Sequence, residues 1–517
     1  MKLGKYFFLV FLLYSYIPVL AQVDTLWTRR YNSGGNNNDM GASIAIDKSG
    51  NICVTGPTGV GGVGDFLTIK YDPDGDTVWV RSYAGSLGQN DYPFYVGVDS
   101  SGNFYVIGYS AETGTNFDCT VIKYAPNGDT AWVRHFGPGG IQTAYAGFVD
   151  PGGNAYAGGE AFGAGGDDFL TVKYNTQGDT LWVRTYNGPG DGSDNVNAIT
   201  ADAAGNVYVT GFSVGAGSFE DFATIKYSPT GDTLWVRRYN GTGDGFDFSM
   251  KIVVDQSGNV YVTGESFGAG GAGSDFLTIK YTSNGDTLWV RRFNGTGNGF
   301  DYARDLVVDD TGNVYVTGST DNGNDNDFLT LKYSPTGNLL WSRVYDGGVL
   351  DWDDAYALAG DDSGYIYVTG ESFDGTSTNY LIIKYKPDGD TVWTKRYDGP
   401  DNLYDRAHAI AVDTDGSIII TGYSEGSTTA GDFATVKYGT APLCSAKPGD
   451  VDGNGNVLLP DIVAIINDLF RGGPSPNPLC RGDANGNGTI LLNDIVYLIN
   501  FLFRSGPAPV KTGVCCL

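Results

Sequence analysis

Eight tryptophans, Trp27, Trp79, Trp132, Trp182, Trp235, Trp289, Trp341 and Trp393, recur at intervals of 52, 53, 50, 53, 54, 52 and 52 residues. A fixed period near fifty is the mark of a repeat architecture, and it outranks any local assignment of helix or strand. The stretch around each Trp is clearest at 275–293, DFLTIKYTSNGDTLWVRRF. Ile279, Tyr281, Leu288 and Val290 give it the β-branched and aromatic character of two strands, and Ser283-Asn284-Gly285 supplies the turn between them.

Each full unit carries two further strand-like segments ahead of this hairpin, read in one copy as SMKIVVD and NVYVTGE. An Asp-x-x-Gly turn joins them, beginning at Asp47, Asp99, Asp150, Asp202, Asp255, Asp309, Asp361 and Asp413. Asp bonds the backbone N–H groups ahead of it and Gly takes the left-handed position, so these aspartates are expected to shape turns. Four short antiparallel strands repeated eight times predict an all-β, eight-bladed β-propeller over 22–440. The repeat region opens on a lone fourth strand at 24–31 and its last unit, ending at Tyr438, has three strands. The first strand should therefore complete the last blade and leave no open edge.

The formal charge is −27, with acidic residues spread through the repeats, which argues against nucleic acid and anionic lipid as partners. Two histidines, His135 and His408, sit in different repeats and give little material for a His triad or a multi-His metal site. Lysines from Lys70 to Lys437 hold one third-strand position, and arginines from Arg29 to Arg343 follow the Trp by two, with Lys395 as the eighth. The third strand starts with Asp in seven copies and Asn379 in the other. Rows that keep the symmetry read as cross-strand or blade-to-blade pairs. No redox cofactor or catalytic metal is expected in this region. Symmetry breaks in the loops from fourth to first and from second to third strands, which share one face. Trp352 lies there, the one Trp outside the repeat position, beside Asp351, Asp353 and Asp354. A Trp among carboxylates in such a loop could stack on a sugar ring.

Residues 1–21 read as an export signal, with Lys2 and Lys5, an apolar run and a small-residue end at Ala21. A linker is expected at 441–447, a second domain at 448–506 and a tail at 507–517. The second domain has two copies, 33 residues apart, of a loop with oxygen-bearing residues at positions 1, 3, 5, 7 and 12 and Gly at 6. The first holds Asp450, Asp452, Asn454, Asn456 and Asp461, and the second Asp483, Asn485, Asn487, Thr489 and Asp494. That spacing wraps oxygens about one hard cation, so two calcium ions are predicted. One helix follows each loop, with Ile462, Ile465, Ile466, Leu469 and Phe470 on one face of the first. Ile495, Leu498, Ile499, Leu502 and Phe503 match them in the second. Cys444, Cys480, Cys515 and Cys516 flank the two halves, and one or two disulfides of open pairing are expected.

The third strand followed by Gly-x-x-x-Trp resembles the bacterial β-propeller repeat called SBBP, whose label implies seven blades where this count gives eight. The same spacing, as from Gly285 to Trp289, resembles the tryptophan-docking repeat of quinoproteins. Those enzymes hold a quinone with a vicinal disulfide, whereas the propeller has only Cys53 and Cys119, in different repeats. The sialidase Asp-box fails on spacing. The C-terminal duplication resembles a type I dockerin, which implies calcium-ordered folding and docking to a cohesin on a scaffold or surface protein. In that family the positions before the twelfth ligand are small hydroxyl or basic residues, and here they are Leu459-Pro460 and Leu492-Asn493. The resulting expectation is a secreted or cell-surface bacterial protein. It is a non-enzymatic propeller presented through a calcium-dependent module, with a neutral glycan or protein ligand on the loop face. The alternative is a polysaccharide-degrading component of glycoside hydrolase or lyase type, and it requires carboxylates from different blades to converge in one pocket.

Overall fold

The computed structural model describes residues 23–34, 38–59, 64–114, 116–163, 165–243, 245–268, 273–348, 352–427, 429–440, 449–451, 456–471, 481–482, 484–485, 489–504 and 507–509. Two compact units divide the chain, one being Trp27–Lys437 and the other the remainder. The larger unit is built of eight four-stranded sheets. Blades 1 to 7 occupy 43–83, 92–136, 142–186, 194–239, 247–293, 302–345 and 353–397, each with its strands in sequence order. Blade 8 takes Asp405–Val412, Ile418–Glu425 and Gly431–Thr440 from the end of the repeats and Val23–Tyr31 from the beginning. In that sheet Val23–Tyr31 is the outer strand beside Gly431–Thr440, so the ring closes as predicted with eight blades.

Second and third strands are buried along nearly their whole length because each sheet is packed on both faces. The fourth strand, as in Thr233–Tyr239, buries its Trp while its first two residues face solvent. Hydrophobic clusters therefore lie between blades. Tyr208, Phe222 and Trp235 of blade 4 pack with Ile252, Val260, Val262, Leu277, Ile279 and Tyr281 of blade 5. Each large side chain so buried contributes about 1.5–3 kcal/mol.

Polar contacts lock the same joint. Trp235 Nε1 donates to the Ser283 carbonyl at 3.2 Å, and Arg237 Nε donates to the Gly285 carbonyl at 2.6 Å, both in the next blade's turn. Gly285 has φ +83°, and a Cβ there would stand 2.9 Å from Trp235 Cδ2. The Gly of Gly-x-x-x-Trp thus seats on the preceding blade's Trp while its own Trp seats on the following turn. Trp27, Trp79, Trp132, Trp182, Trp289 and Trp341 repeat the indole bond.

The C-terminal unit holds helices α1 (Leu459–Arg471) and α2 (Leu492–Arg504). Val457, Ile462, Ile465, Ala484, Ile495 and Leu498 form its core, with Ile466, Leu469, Ile499 and Leu502 packed against it. Phe470 and Phe503, placed by periodicity on the buried face, are instead exposed. Both stand in the last turn of their helices. Among the described residues no helix is long and apolar enough to cross a membrane.

Candidate functional sites on the loop face and in the calcium loops

The charge rows make cross-strand and blade-to-blade contacts, with backbone carbonyls among the partners. The arginines two after the Trp donate chiefly to carbonyls of the next blade, as Arg291 Nε does to Gly337 at 2.5 Å, and Arg29 also lies 3.6 Å from Asp76. The lysines reach the same turn, as Lys226 Nζ does to the Ser283 carbonyl at 2.9 Å. Lys437 also lies 2.9 Å from Asp413. The Asp-x-x-Gly turns close as predicted, with Asp255 Oδ1 accepting from Ser257 and Asn259 N at 2.9 Å each. Third-strand aspartates pair with an arginine three after the Trp: Asp221 with Arg238, Asp275 with Arg292, and Asp432 with Arg30, each at 2.8 Å. His135 occupies that arginine position in blade 2 and contacts Thr120 and Tyr83. His408 borders the central channel, and burial, aided by Arg406, lowers its pKa to about 4. Cys53 and Cys119 are buried free thiols, and burial pushes Cys119 up to about 12.

A further row was not singled out from the sequence. Asp39, Asp91, Asp194, Asp247, Asp301, Asp353 and Asp405 stand just before or at the start of their blades' first strands, all buried. Each accepts from the backbone N–H six residues earlier, as Asp301 Oδ2 does from Gly295 at 2.7 Å and Asp353 Oδ2 from Gly347 at 2.6 Å. In blades 2, 4, 5 and 6 the second oxygen accepts another N–H twenty residues on, such as Phe267 N at 3.0 Å from Asp247 Oδ1. These carboxylates clamp the fourth-to-first loops. Burial raises the pKa of Asp91, Asp194, Asp247, Asp301 and Asp353, and lifts Asp405 to about 6. The recurrent Gly-x₅-Asp was the available signal.

The clamped loops hold aromatic side chains out to solvent. Phe246, Phe300 and Trp352, each immediately before a clamp aspartate, are 46 %, 52 % and 64 % exposed in three consecutive blades. Phe246 stacks on Phe248 and Phe300 on Tyr302, with interplanar angles of 6° and 7°. Between blades 6 and 7 a cleft of about 510 Å³ runs past Phe300, Tyr302 and Trp352. Its polar lining includes Arg304, Asp321 and Asp325 from blade 6 and Asp354 from blade 7. Asp351, also noted beside Trp352, lies outside the described residues.

In the C-terminal unit, Asp461 and Asp494 are fully buried and their carboxylates gather the loop backbone. Asp461 accepts from Val451 N and Leu458 N at 2.7 Å, and Asp494 from Asn485 N at 3.0 Å and Leu491 N at 2.9 Å. Asp450 is buried as well. The Asn485 amide nitrogen is buried without a partner, and turning that amide over would present an oxygen instead. Buried carboxylates with an all-oxygen donor set fit a hard divalent cation. Asn456 and Thr489 lie within the described loops. Asp452, Asn454, Asp483 and Asn487 fall outside the described residues, as do Cys444, Cys480, Cys515, Cys516 and the expected signal segment.

Ring and duplicated loop together define the class, a dockerin-bearing β-propeller. Comparison with known proteins bears on each part. Residues 288–325 match the family model for the SBBP beta-propeller repeat, and residues 448–503 match that for the dockerin type I domain. Dockerin type I domains bind calcium and cohesins and are typically extracellular. A curated relative, an uncharacterized WD repeat-containing protein of Acanthamoeba polyphaga mimivirus, is 22 % identical over 438 residues. The match covers 75 % of this chain and 28 % of that relative's length. Among solved structures, the β-propeller domain of the trilobed protease from Pyrococcus furiosus is 10 % identical with a TM-score of 0.42, covering 71 % of this chain and 98 % of that one. The polysaccharide lyase Uly1 is 11 % identical with a TM-score of 0.41, covering 79 % and 93 %. Likenesses of that degree say nothing about chemistry.

Proposed function

We propose that this chain is an extracellular or cell-surface glycan-binding protein, a non-catalytic propeller carried to its place by the dockerin and its cohesin-bearing partner. The supporting observation is the arc of Phe246, Phe300 and Trp352, exposed at one loop position in three neighbouring blades. Flat apolar faces beside polar groups suit the CH-rich faces of sugar rings. Carboxylates around the cleft and a net charge of −27 favour a neutral glycan over an anionic one. Two calcium ions order the dockerin in this reading. Leu459, Val463 and Phe470, repeated 33 residues on by Leu492, Val496 and Phe503, are exposed and offer a duplicated apolar surface to the cohesin. Leu459 and Leu492 take the place of the small hydroxyl or basic residues usual there, so the preferred cohesin face is apolar.

The experiment is a screen of neutral polysaccharides and oligosaccharide arrays, followed by Trp352→Ala and Phe300→Ala. At about 1–2 kcal/mol per stacked ring, each substitution should weaken binding roughly tenfold. Binding that survives both substitutions, or no binding to any neutral glycan, overturns the reading. One observation favours an enzyme as the second reading, because Asp321 and Asp325 share the cleft with Asp354 of the next blade. Release of reducing or unsaturated ends from a bound glycan, abolished by Asp354→Asn, would move the assignment to a glycoside hydrolase or lyase.

A further inference from the structure

Blade 6 departs from its neighbours in the placement of charge. In blades 4, 5 and 8 the buried aspartate opening the third strand is neutralised by the arginine three after the Trp. Blade 6 keeps the aspartate, Asp327, but has Val344 where the arginine would stand. Blades 1, 2 and 3 also lack it, with Ser82, His135 and Thr185 there, so what sets blade 6 apart among the described residues is the company of its aspartate. Blade 7 has the reverse, Asn379 with Arg396, and Arg396 gives its hydrogen bonds to Ser372 and to Tyr345 Oη. Among the described residues no cation pairs with Asp327, and two more carboxylates approach it instead. Asp346 lies in the loop leaving blade 6 and Asp353 is the clamp aspartate of blade 7. One oxygen from each of the three lies within 4.8 Å of the others.

Two of these carboxylates are deeply buried, with Asp327 3 % and Asp353 1 % exposed. Asp327 Oδ2 accepts from Asn322 Nδ2 at 2.9 Å and Asp353 Oδ2 from Gly347 N at 2.6 Å. Asp327 Oδ1 is buried and has no hydrogen-bond partner, as is true of Asp221 Oδ1 and Asp275 Oδ1 beside their arginines, while the Asp353 carboxylate is also bonded by Ser372. In blades 2, 4, 5 and 6 the oxygen equivalent to Asp353 Oδ1 receives a backbone N–H. A partnerless carboxylate oxygen out of water is costly, and more so beside two further carboxylates, unless a positive charge joins them.

We propose that Asp327, Asp346 and Asp353 bind a calcium ion at the seam of blades 6 and 7, where it takes the role that arginine plays in blades 4, 5 and 8. Calcium accepts oxygens at about 2.3–2.6 Å, so its donors stand up to about 5 Å apart, whereas magnesium demands about 2.0–2.1 Å and a tighter set. Three carboxylate oxygens all within 4.8 Å of one another can share one such ion, and a site open to water on one side suits the looser shell of calcium. Asp346 is exposed and opens the site to solvent, so water completes the coordination from that side. This site is separate from the dockerin loops and makes no use of the aromatic arc.

The test uses the full chain. Calcium bound at equilibrium is counted by dialysis and elemental analysis for the wild type, Asp327→Asn, Asp346→Asn and Val344→Arg. Wild type should hold one calcium more per chain than Asp327→Asn, and Asp346→Asn should bind that ion at least tenfold more weakly. Val344→Arg should also lose the ion, yet unfold at higher temperature than wild type in EDTA, because a guanidinium now stands beside Asp327. A second readout isolates the site, since residues 441–517 contain no Trp while Trp352 adjoins Asp353. Terbium emission excited through tryptophan should appear in the wild type and vanish in Asp327→Asn and Val344→Arg. Equal calcium counts across the four proteins, or terbium emission that survives in Val344→Arg, overturns the proposal. Asp346 is exposed and Val344→Arg restores the pattern of other blades, so a folding failure in Asp327→Asn leaves both outcomes readable.

Discussion

The closing strand should be as firmly held as any internal one, and Arg30 measures it. Its Nη2 lies 2.8 Å from Asp432 Oδ2 and 3.0 Å from the Ser424 carbonyl, with Nη1 on Ser424 Oγ. Arg238 meets Asp221 at the same 2.8 Å within the continuous blade 4. Side-chain exposures nearly coincide, at 19 % and 8 % for the closing pair and 20 % and 6 % for the internal one. Removing one partner of a fully buried pair costs about 3–5 kcal/mol, while exposed pairs contribute about 0–1 kcal/mol. At this intermediate burial, Arg30→Ala should cost about 2 kcal/mol. That is roughly a thirtyfold rise in local opening, at about 1.36 kcal/mol per factor of ten. Hydrogen exchange followed by mass spectrometry suits a ring of this size better than a melting point, since opening need not be global. Amides of Gly431–Thr440 should exchange about thirtyfold faster in Arg30→Ala, and those of Glu220–Tyr227 by a similar factor in Arg238→Ala. If Arg238→Ala loosens its strand while Arg30→Ala leaves Gly431–Thr440 unchanged, the closing strand is not bound as described.

Three further outcomes follow from the same contacts. Asp405 has its pKa raised from 3.8 to about 6, chiefly by burial with Asp398 adding, so the folded state favours its neutral form. Its contribution is present below pH 3.8 and is lost as pH rises through about 6, a loss of up to about 3 kcal/mol. Urea unfolding should therefore show wild type falling relative to Asp405→Asn across that window, and a pH-independent difference would contradict it. EDTA should speed amide exchange in α1 and α2 while leaving the interiors of blades 1 to 5 protected, because each calcium adds about 2.7 kcal/mol at a hundredfold excess over its dissociation constant. Asp450→Ala with Asp483→Ala should reproduce that change, and helices that stay protected in EDTA would separate calcium from folding. Gly285→Ala should destabilise the joint of blades 4 and 5 by at least about 1–2 kcal/mol, since φ is +83° and Trp235 blocks the Cβ. An unchanged urea midpoint would remove the Gly–Trp seat from the account.

What the sequence disclosed depended on whether the signal was local. The Trp period, the four-strand unit, the orphan strand at 24–31 and the duplicated loop are patterns along the chain, and they led to the eight-bladed ring and the helix pair. Partners across blades were less legible. Arg237 looks like half of an ion pair, yet its partner is the Gly285 carbonyl of the next blade, which only the register of two sheets brings near. The clamp aspartates were missed although Gly-x₅-Asp recurs, because their function is a loop bond between unlike atoms rather than a charge pair. Phe470 and Phe503 continue the apolar stripe but stand exposed, since helix periodicity says nothing about where the opposing surface ends. The cluster of Asp327, Asp346 and Asp353 draws on two blades and is visible only as a missing arginine at Val344.

The place where the chain leaves the ring has a mechanical meaning. Gly431–Thr440, the strand that leads on to the dockerin, is an interior member of its sheet, with Ile418–Glu425 on one side and Val23–Tyr31 on the other. Tension applied through the C-terminus must shear two hydrogen-bond ladders together rather than peel a single edge. Without the borrowed strand the same load would fall on the sheet's rim and unzip it bond by bond. Any load that reaches the ring through this end meets a strand gripped from both sides, and the beginning of the repeat region supplies half of that grip.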